Sequence, residues 1–145
     1  MAAVKMNVFH WHLTDDQGFR IESKVWPRLH EIGSRGNYYS QEDIKEVVSY
    51  ARDRGIRVVP EFDIPGHTTS FIASYPELGS GGGEIQMSAK FATYEAVMNP
   101  TSQKTYAFLD GFIGEMATLF PDPYMHIGGD EVNTTQWKEN ASILA

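Results

Sequence analysis

Cysteine is absent from the chain. Its absence excludes disulfides, thiolate nucleophiles and cysteine-ligated metal. The compartment stays open, because a chain of this size can bury a core without covalent staples. Also missing is any apolar stretch near the roughly 18 residues needed to span a bilayer. No Lys/Arg cluster occurs; 12 basic residues stand against 19 acidic ones, for a net charge of −7. That balance argues against a nucleic-acid partner or an anionic membrane surface, and it suits a neutral substrate at least as well as a charged one. What is present is core-forming material: 41% hydrophobic and 12% aromatic residues in 145, enough for one packed domain at most. Met1 to Lys5 is too short for a signal peptide and reads as the last turn of a helix. The C-terminus stops inside another helical pattern, so the chain is read as part of a longer one.

Two periodicities alternate along the sequence. Met6 to Thr14 reads as a strand with Phe9, Trp11 and Leu13 on one side and His10, His12 and Thr14 on the other. A long connection, residues 15–39, carries Gly18, Pro27, Gly33 and Gly36. Ser40 then caps a helix with Glu42 and Asp43 in its first turn, an Ile44/Val47/Val48/Ala51 stripe, and Gly55 as its stop. Ile56 to Phe62 is the second strand, with Glu61 and Asp63 on the face opposite Val58 and Phe62. Residues 63–99 form a second excursion, with a short helix near Thr68 to Ser74 and a flexible turn over Gly79 to Gly83. Pro100 behind Asn99 suits a first helical position, and Tyr106, Leu109, Phe112, Ile113, Met116 and Leu119 give an apolar stripe ending at Pro121. Tyr124 to Gly128 is the third predicted strand, with His126 and Asp130 on one face.

Strands alternating with helices imply an α/β fold with a parallel sheet. Parallel strands bury both faces, yet one face here carries His10, His12, Glu61, Asp63, His126 and Asp130. A (β/α) barrel resolves the conflict, since polar groups at the carboxyl ends of its strands open onto a catalytic mouth. An open doubly wound sheet is the competitor, but no strand-to-helix turn carries a phosphate-binding glycine pattern.

Chemistry concentrates where each strand ends. In His126-Ile127-Gly128-Gly129-Asp130-Glu131, two carboxylates follow two glycines. Glu131 is the candidate general acid: at the edge of an apolar pocket and beside a second carboxylate, its proton would be held more tightly. Asp130 does not suit the opposed nucleophile, because that arrangement needs carboxyl groups about 5–5.5 Å apart across the reacting carbon. A surface turn with two solvated acids is the other reading of those residues taken alone. His10 and His12 point one way, either as metal ligands or substrate contacts or as hydrogen-bonded histidines of a barrel. Asp15 and Asp16 are either functional acids or only the start of a polar loop, the latter being the favoured reading for Asp16. Asp63-Ile64-Pro65-Gly66-His67 is a tight turn that explains its proline and glycine but not its histidine; a His67–carboxylate pair near Glu131 would tune protonation there. Trp26 and Trp137 are read as packing residues with sugar stacking as the alternative, and His30 as incidental.

The segments His10–Arg20 (HWHLTDDQGFR), Pro60–His67 (PEFDIPGH) and His126–Val132 (HIGGDEV), in this order and spacing, resemble family 20 glycoside hydrolases, the β-N-acetylhexosaminidases. Glu22–Ser34 (ESKVWPRLHEIGS) and Tyr39–Val48 (YSQEDIKEVV) also look like bacterial members. The resemblance covers essentially the whole chain. It implies a (β/α)8 TIM barrel of which residues 1–145 supply about strands two to four, a partial catalytic domain. It implies retaining hydrolysis of terminal N-acetylhexosamine from oligosaccharides or glycoconjugates, assisted by the substrate's own acetamido group, a known exception to the two-carboxylate scheme. Glu131 would then be the acid/base and Asp130 the residue orienting the acetamido group. Asp15, His67, His12 and Asp63 would be supporting or substrate-binding residues, with no metal or cofactor. Bacterial origin and a secreted or periplasmic location follow from the same likeness. One departure stands out: the family's sugar-binding arginine and the aromatic residues walling its pocket are not in this chain. Two further readings stay open, a metal-dependent barrel hydrolase using His10 and His12 with Asp130, and a non-catalytic carbohydrate-binding relic.

Overall fold

Three strands form one sheet in the computed structural model, which describes residues 1–83, 85–90 and 94–145. They are β1 (Val8–Asp15), β2 (Gly18–Phe19) and β3 (Arg57–Phe62), in the spatial order β2-β1-β3. β1 and β3 run parallel, with His10 opposite Val59 and His12 opposite Glu61, and the register slips between His12 and Thr14. β2 folds back antiparallel onto the end of β1, pairing Thr14 with Phe19. The long connection predicted for residues 15–39 thus contains a strand of its own, and also a short helix, α1 (Arg28–Glu31).

The alternation along β1 and β3 decides which face is covered. Phe9, Trp11, Leu13, Val58 and Phe62 join the core, built with helices α2 (Gln41–Arg52), α3 (Thr69–Ser74) and α4 (Gln103–Leu119). At its centre the rings of Phe19, Phe62, Phe71 and Phe112 meet edge to face at 5.1–5.8 Å, a geometry the ring quadrupoles favour. α2 starts as its sequence dictates: Ser40 and Asp43 form a reciprocal capping box. Two short helices, α5 (Thr135–Glu139) and α6 (Ala141–Leu144), close the chain.

Three sequence expectations change. α4 begins at Gln103, not at Pro100, because the Asn99 side chain first closes a turn by accepting from the Thr101 amide at 2.9 Å. Its buried stripe is Thr105, Phe108, Phe112, Met116 and Leu119, while Tyr106 and Ile113 are exposed; the Tyr106 hydroxyl donates back to the Pro100 carbonyl at 2.7 Å. The third predicted strand, Tyr124 to Gly128, is reduced to one parallel bridge between His126 and Glu61. Gly128 and Gly129, at φ +67° and +105°, turn the chain out of extended geometry directly after that bridge.

Candidate active site

Three chain segments end side by side. The His126 amide donates to the Pro60 carbonyl at 2.9 Å, the Phe62 amide to the His126 carbonyl at 3.0 Å, and the Ile64 amide to the Ile127 carbonyl at 3.0 Å. With β1 against β3, these bonds bring Asp15 and Asp16, then Asp63, then Asp130 and Glu131 to one end of the sheet. Asp63 seats the glycine turn: its Oδ1 accepts from the Gly129 amide at 2.9 Å. A Cβ added to Gly128 would lie 1.9 Å from that same oxygen, so both the positive φ and the approach of Asp63 require glycine at 128.

Glu131 itself has φ +44° and His67 φ +53°. Left-handed backbone costs a non-glycine residue about 1–2 kcal/mol, and such strain gathers where surrounding structure holds a functional geometry. These two residues face one another, His67 Nε2 lying 3.6 Å from Glu131 Oε2. The other ring nitrogen of His67, Nδ1, meets Asp15 Oδ1 at 3.1 Å and Asp16 Oδ2 at 3.2 Å. Burial opposes charge on this imidazole, but the carboxylates of Asp15, Asp16 and Asp63 outweigh it and raise its pKa above the ordinary 6.5.

Asp16 corrects the sequence reading. It is fully buried, and its Oδ1 accepts from the Thr69 amide at 3.1 Å and the Thr69 hydroxyl at 2.5 Å, tying α3 to the end of β1. The Glu131 side chain is 67% exposed among the described residues. Asp130 turns elsewhere, its carboxylate grouping with those of Glu61 and Asp63. Burial first, then Asp130 and Glu61, raise the Asp63 pKa against the pull of the Gly129 amide and His67. The two adjacent acids therefore serve different neighbours, one a histidine and the other a set of carboxylates.

Below this turn lies Glu61, which the sequence reading left among generic polar residues. Its nearly buried carboxylate pairs with His10 Nε2 and lies 3.3 Å from His12 Nδ1 and 3.4 Å from His126 Nδ1. Burial works to raise the Glu61 pKa, and the His10 and His12 hydrogen bonds bring it below 4.5. His12 also reaches Asp15 Oδ2 at 3.2 Å; burial disfavours its charge, but Asp15 and Glu61 raise its pKa. The parallel register sets His12 opposite Glu61, a signal present in the sequence once the pairing is known.

Among the described residues, donor atoms close enough to share a cation occur in three sets: His10, Glu61 and His126; Asp15, Asp16 and His67; Glu61, Asp63 and Asp130. In the first two sets the imidazoles already pair the carboxylates, so neither is assigned as a metal centre. His10, His12 and Asp130, the ligand set weighed from sequence, do not form such a group among the described residues. Trp26 packs against Tyr75 and Phe108, and the Trp137 indole donates to the Met98 carbonyl at 3.0 Å. His30 accepts from the Ser23 amide, away from these acids.

Residues 1–145 match the glycosyl hydrolase family 20 catalytic domain. β-Hexosaminidase subunit alpha of Rattus norvegicus is 46% identical over 151 residues, covering all of this chain and 28% of that protein. The solved chitobiase of Flavobacterium johnsoniae superposes with a TM-score of 0.93 at 46% identity, covering 99% of this chain and 22% of the other. A Vibrio harveyi exo-β-N-acetylglucosaminidase in complex with N-acetylglucosamine gives a TM-score of 0.82 at 38% identity, covering 97% of this chain and 25% of the other. The chain thus spans about a quarter of the length of these relatives. On its motifs, its structure and this likeness, the chain belongs to glycosyl hydrolase family 20.

Proposed function

We propose that residues 1–145 are part of a (β/α)8 barrel whose activity is β-N-acetylhexosaminidase, and that they supply its acid/base and the residue orienting the acetamido group. The observation that carries this reading is the strained turn at the end of the sheet. Asp63 fixes it, His67 faces Glu131 at 3.6 Å, and Asp130 points away from Glu131 toward other carboxylates. In the proposed reaction Glu131 donates its proton to the glycosidic oxygen as that bond breaks. Asp130 holds the N–H of the 2-acetamido group so that its carbonyl oxygen attacks the anomeric carbon. An oxazolinium forms, and water activated by the Glu131 carboxylate opens it with net retention.

His67, poised between the Asp15/Asp16 pair and Glu131, stabilises the carboxylate left after proton donation. Asp63 and, through Asp15, His12 hold the geometry. The exposure of Glu131 fits a site whose remaining walls come from outside these residues. A terminal N-acetylhexosamine is the proposed substrate, as the Vibrio harveyi complex suggests by analogy, and export to the periplasm or beyond follows from family likeness alone.

Two variants in the protein at its full length test the reading. Glu131→Gln should lower kcat on an aryl N-acetylglucosaminide by about 10²–10⁴-fold. Asp130→Asn should harm that substrate far more than an aryl glucoside lacking the acetamido group. Equal losses on both substrates contradict acetamido assistance, and near-normal turnover by Glu131→Gln contradicts the assignment of the acid.

A further inference from the structure

Among the described residues two side-chain acceptors hold the turn bearing the two acids, and Asp63 is one of them. The other is His126. Its Nδ1 accepts from the Gly128 amide at 3.0 Å, the same i to i+2 bond that an asparagine makes in an Asx turn. That nitrogen also lies 3.4 Å from Glu61 Oε1. The two partners demand opposite states of one atom. A lone pair on Nδ1 receives the Gly128 N–H, whereas a proton on Nδ1 can only be given to a carboxylate such as Glu61. The His126 backbone is pinned on both sides, its amide to Pro60 and its carbonyl to Phe62, and Asp63 holds the Gly129 amide, so the ring and the Gly128 amide are the parts left to respond.

The titratable groups facing this ring are Glu61 from β3 and His10 from β1, the latter with its ring centroid 5.0 Å away and its own nitrogen on Glu61. Asp63 and Asp130 lie one carboxylate further on.

We infer that His126 is a positioning residue for the Gly128–Glu131 turn: its neutral ring holds the Gly128 amide, and proton uptake at Nδ1 moves the ring to Glu61 and releases the turn. This rests on the reading of Asp130 and Glu131 as the catalytic pair. Gly128 and Gly129, at φ +67° and +105°, have no side chains to resist the release, so the loss is felt directly at the two acids. A misplacement of about 1 Å at reacting groups can cost on the order of 10²-fold in rate.

The experiment compares wild type, His126→Ala, His126→Asn and Glu131→Gln in the protein at its full length, measuring kcat and KM on an aryl N-acetylglucosaminide across pH. His126→Ala should lose about tenfold or more, mainly in kcat. His126→Asn should recover most of that loss near neutrality, because its Oδ1 can take the Gly128 amide. Since asparagine does not titrate, the activity ratio of His126→Asn to wild type should rise as pH falls. Wild-type kinetics in His126→Ala, an asparagine variant no better than alanine, or a ratio constant with pH would each overturn the inference. If His126→Ala does not fold, the asparagine ratio decides alone. Glu131→Gln separates the two layers: its full activity sinks the catalytic reading and this inference with it. Its inactivity beside an unaffected His126→Ala sinks only the role of His126.

Discussion

At the scale of single residues, the site is an exercise in compensating charge. Asp63, His67, Asp130 and Glu131 stand out in the sequence because they follow apolar strand patterns that break into acids and histidine, whereas Asp15 is singled out from its neighbour Asp16 only by the family resemblance. Glu61 and Asp16 do not stand out, since an acid in a polar run looks solvated until the register of β1 on β3 and the seat of α3 are known. Burial then reverses their meaning, and their neighbours acquire a pH signature. His67 and His12 have pKa values raised above 6.5, so their stabilisation is complete below 6.5 and is lost as pH rises through the folded values. The Glu61 pKa is lowered from 4.5, so its contribution is present above 4.5 and lost as pH falls through the folded value. Asp63, raised from 3.8, resists ionising in the folded state and subtracts stability as pH climbs. The two histidines and Glu61 together favour a weakly acidic optimum, between about 4.5 and 6.5, while Asp63 alone favours lower pH. Urea midpoints of the full-length protein should therefore fall from pH 6 to pH 8, with a shallower fall in His67→Gln. A midpoint that stays level or climbs over that range would show that these pairs do not govern stability.

At the scale of elements, the sequence pattern located α2, α3 and α4 but not the way each is held, and α1 lay inside a stretch read as connection. The capping box of α2 was legible because Ser40 and Asp43 are local partners. The stripe on α4 was read one step off, because sequence cannot show that Phe108 and Phe112 meet Phe71. The third strand became a single bridge because positive-φ glycines follow His126. Least visible was the job of Glu115 on α4. Its carboxylate accepts from the Ser23 hydroxyl at 2.5 Å, the Lys24 amide at 2.6 Å and the Gln41 side chain at 2.9 Å. One acid thus joins the segment before α1 and the start of α2 to α4, across more than 70 residues of sequence. Hydrogen bonds to a charged group are worth about 1.5–3 kcal/mol each when lost, reduced here by partial exposure. Glu115→Ala should lower unfolding stability by about 2–3 kcal/mol, measured by denaturant titration. Because Glu115 lies away from the acids, kcat at a permissive temperature should hold. A stability loss below about 0.5 kcal/mol, the scale of an ordinary surface change, would mean that the clamp is not what orders the 23–26 segment.

At the scale of the molecule, sequence alternation was sufficient for an α/β assignment, while closure of the sheet is a property that three strands cannot display. Their edges carry the consequence. β2 covers β1 only at its carboxyl end, so Val8 and the residues after it have a strand neighbour on one side alone among the described residues. On the far side of β3, the segment through His126 makes one bridge and leaves Tyr124 and Ile127 exposed. Met6 and Val8 are exposed as well. Unpaired amides and carbonyls beside apolar side chains are a template for strand addition, and the closure of a barrel would remove both edges at once. The 145 residues expressed alone should accordingly associate, running above their 16.3 kDa mass in size-exclusion light scattering and increasingly so over micromolar to millimolar concentration. Replacing Val8 and Ile127 by lysine should reduce that association by placing charge on each edge, without touching the acids. The same chain alone should not hydrolyse an aryl N-acetylglucosaminide, because the turn that carries Glu131 would have no opposing wall to hold a sugar against it. A stable 16.3 kDa monomer that turned over substrate would show that these residues close their own site, and the proposed barrel would lose its reason.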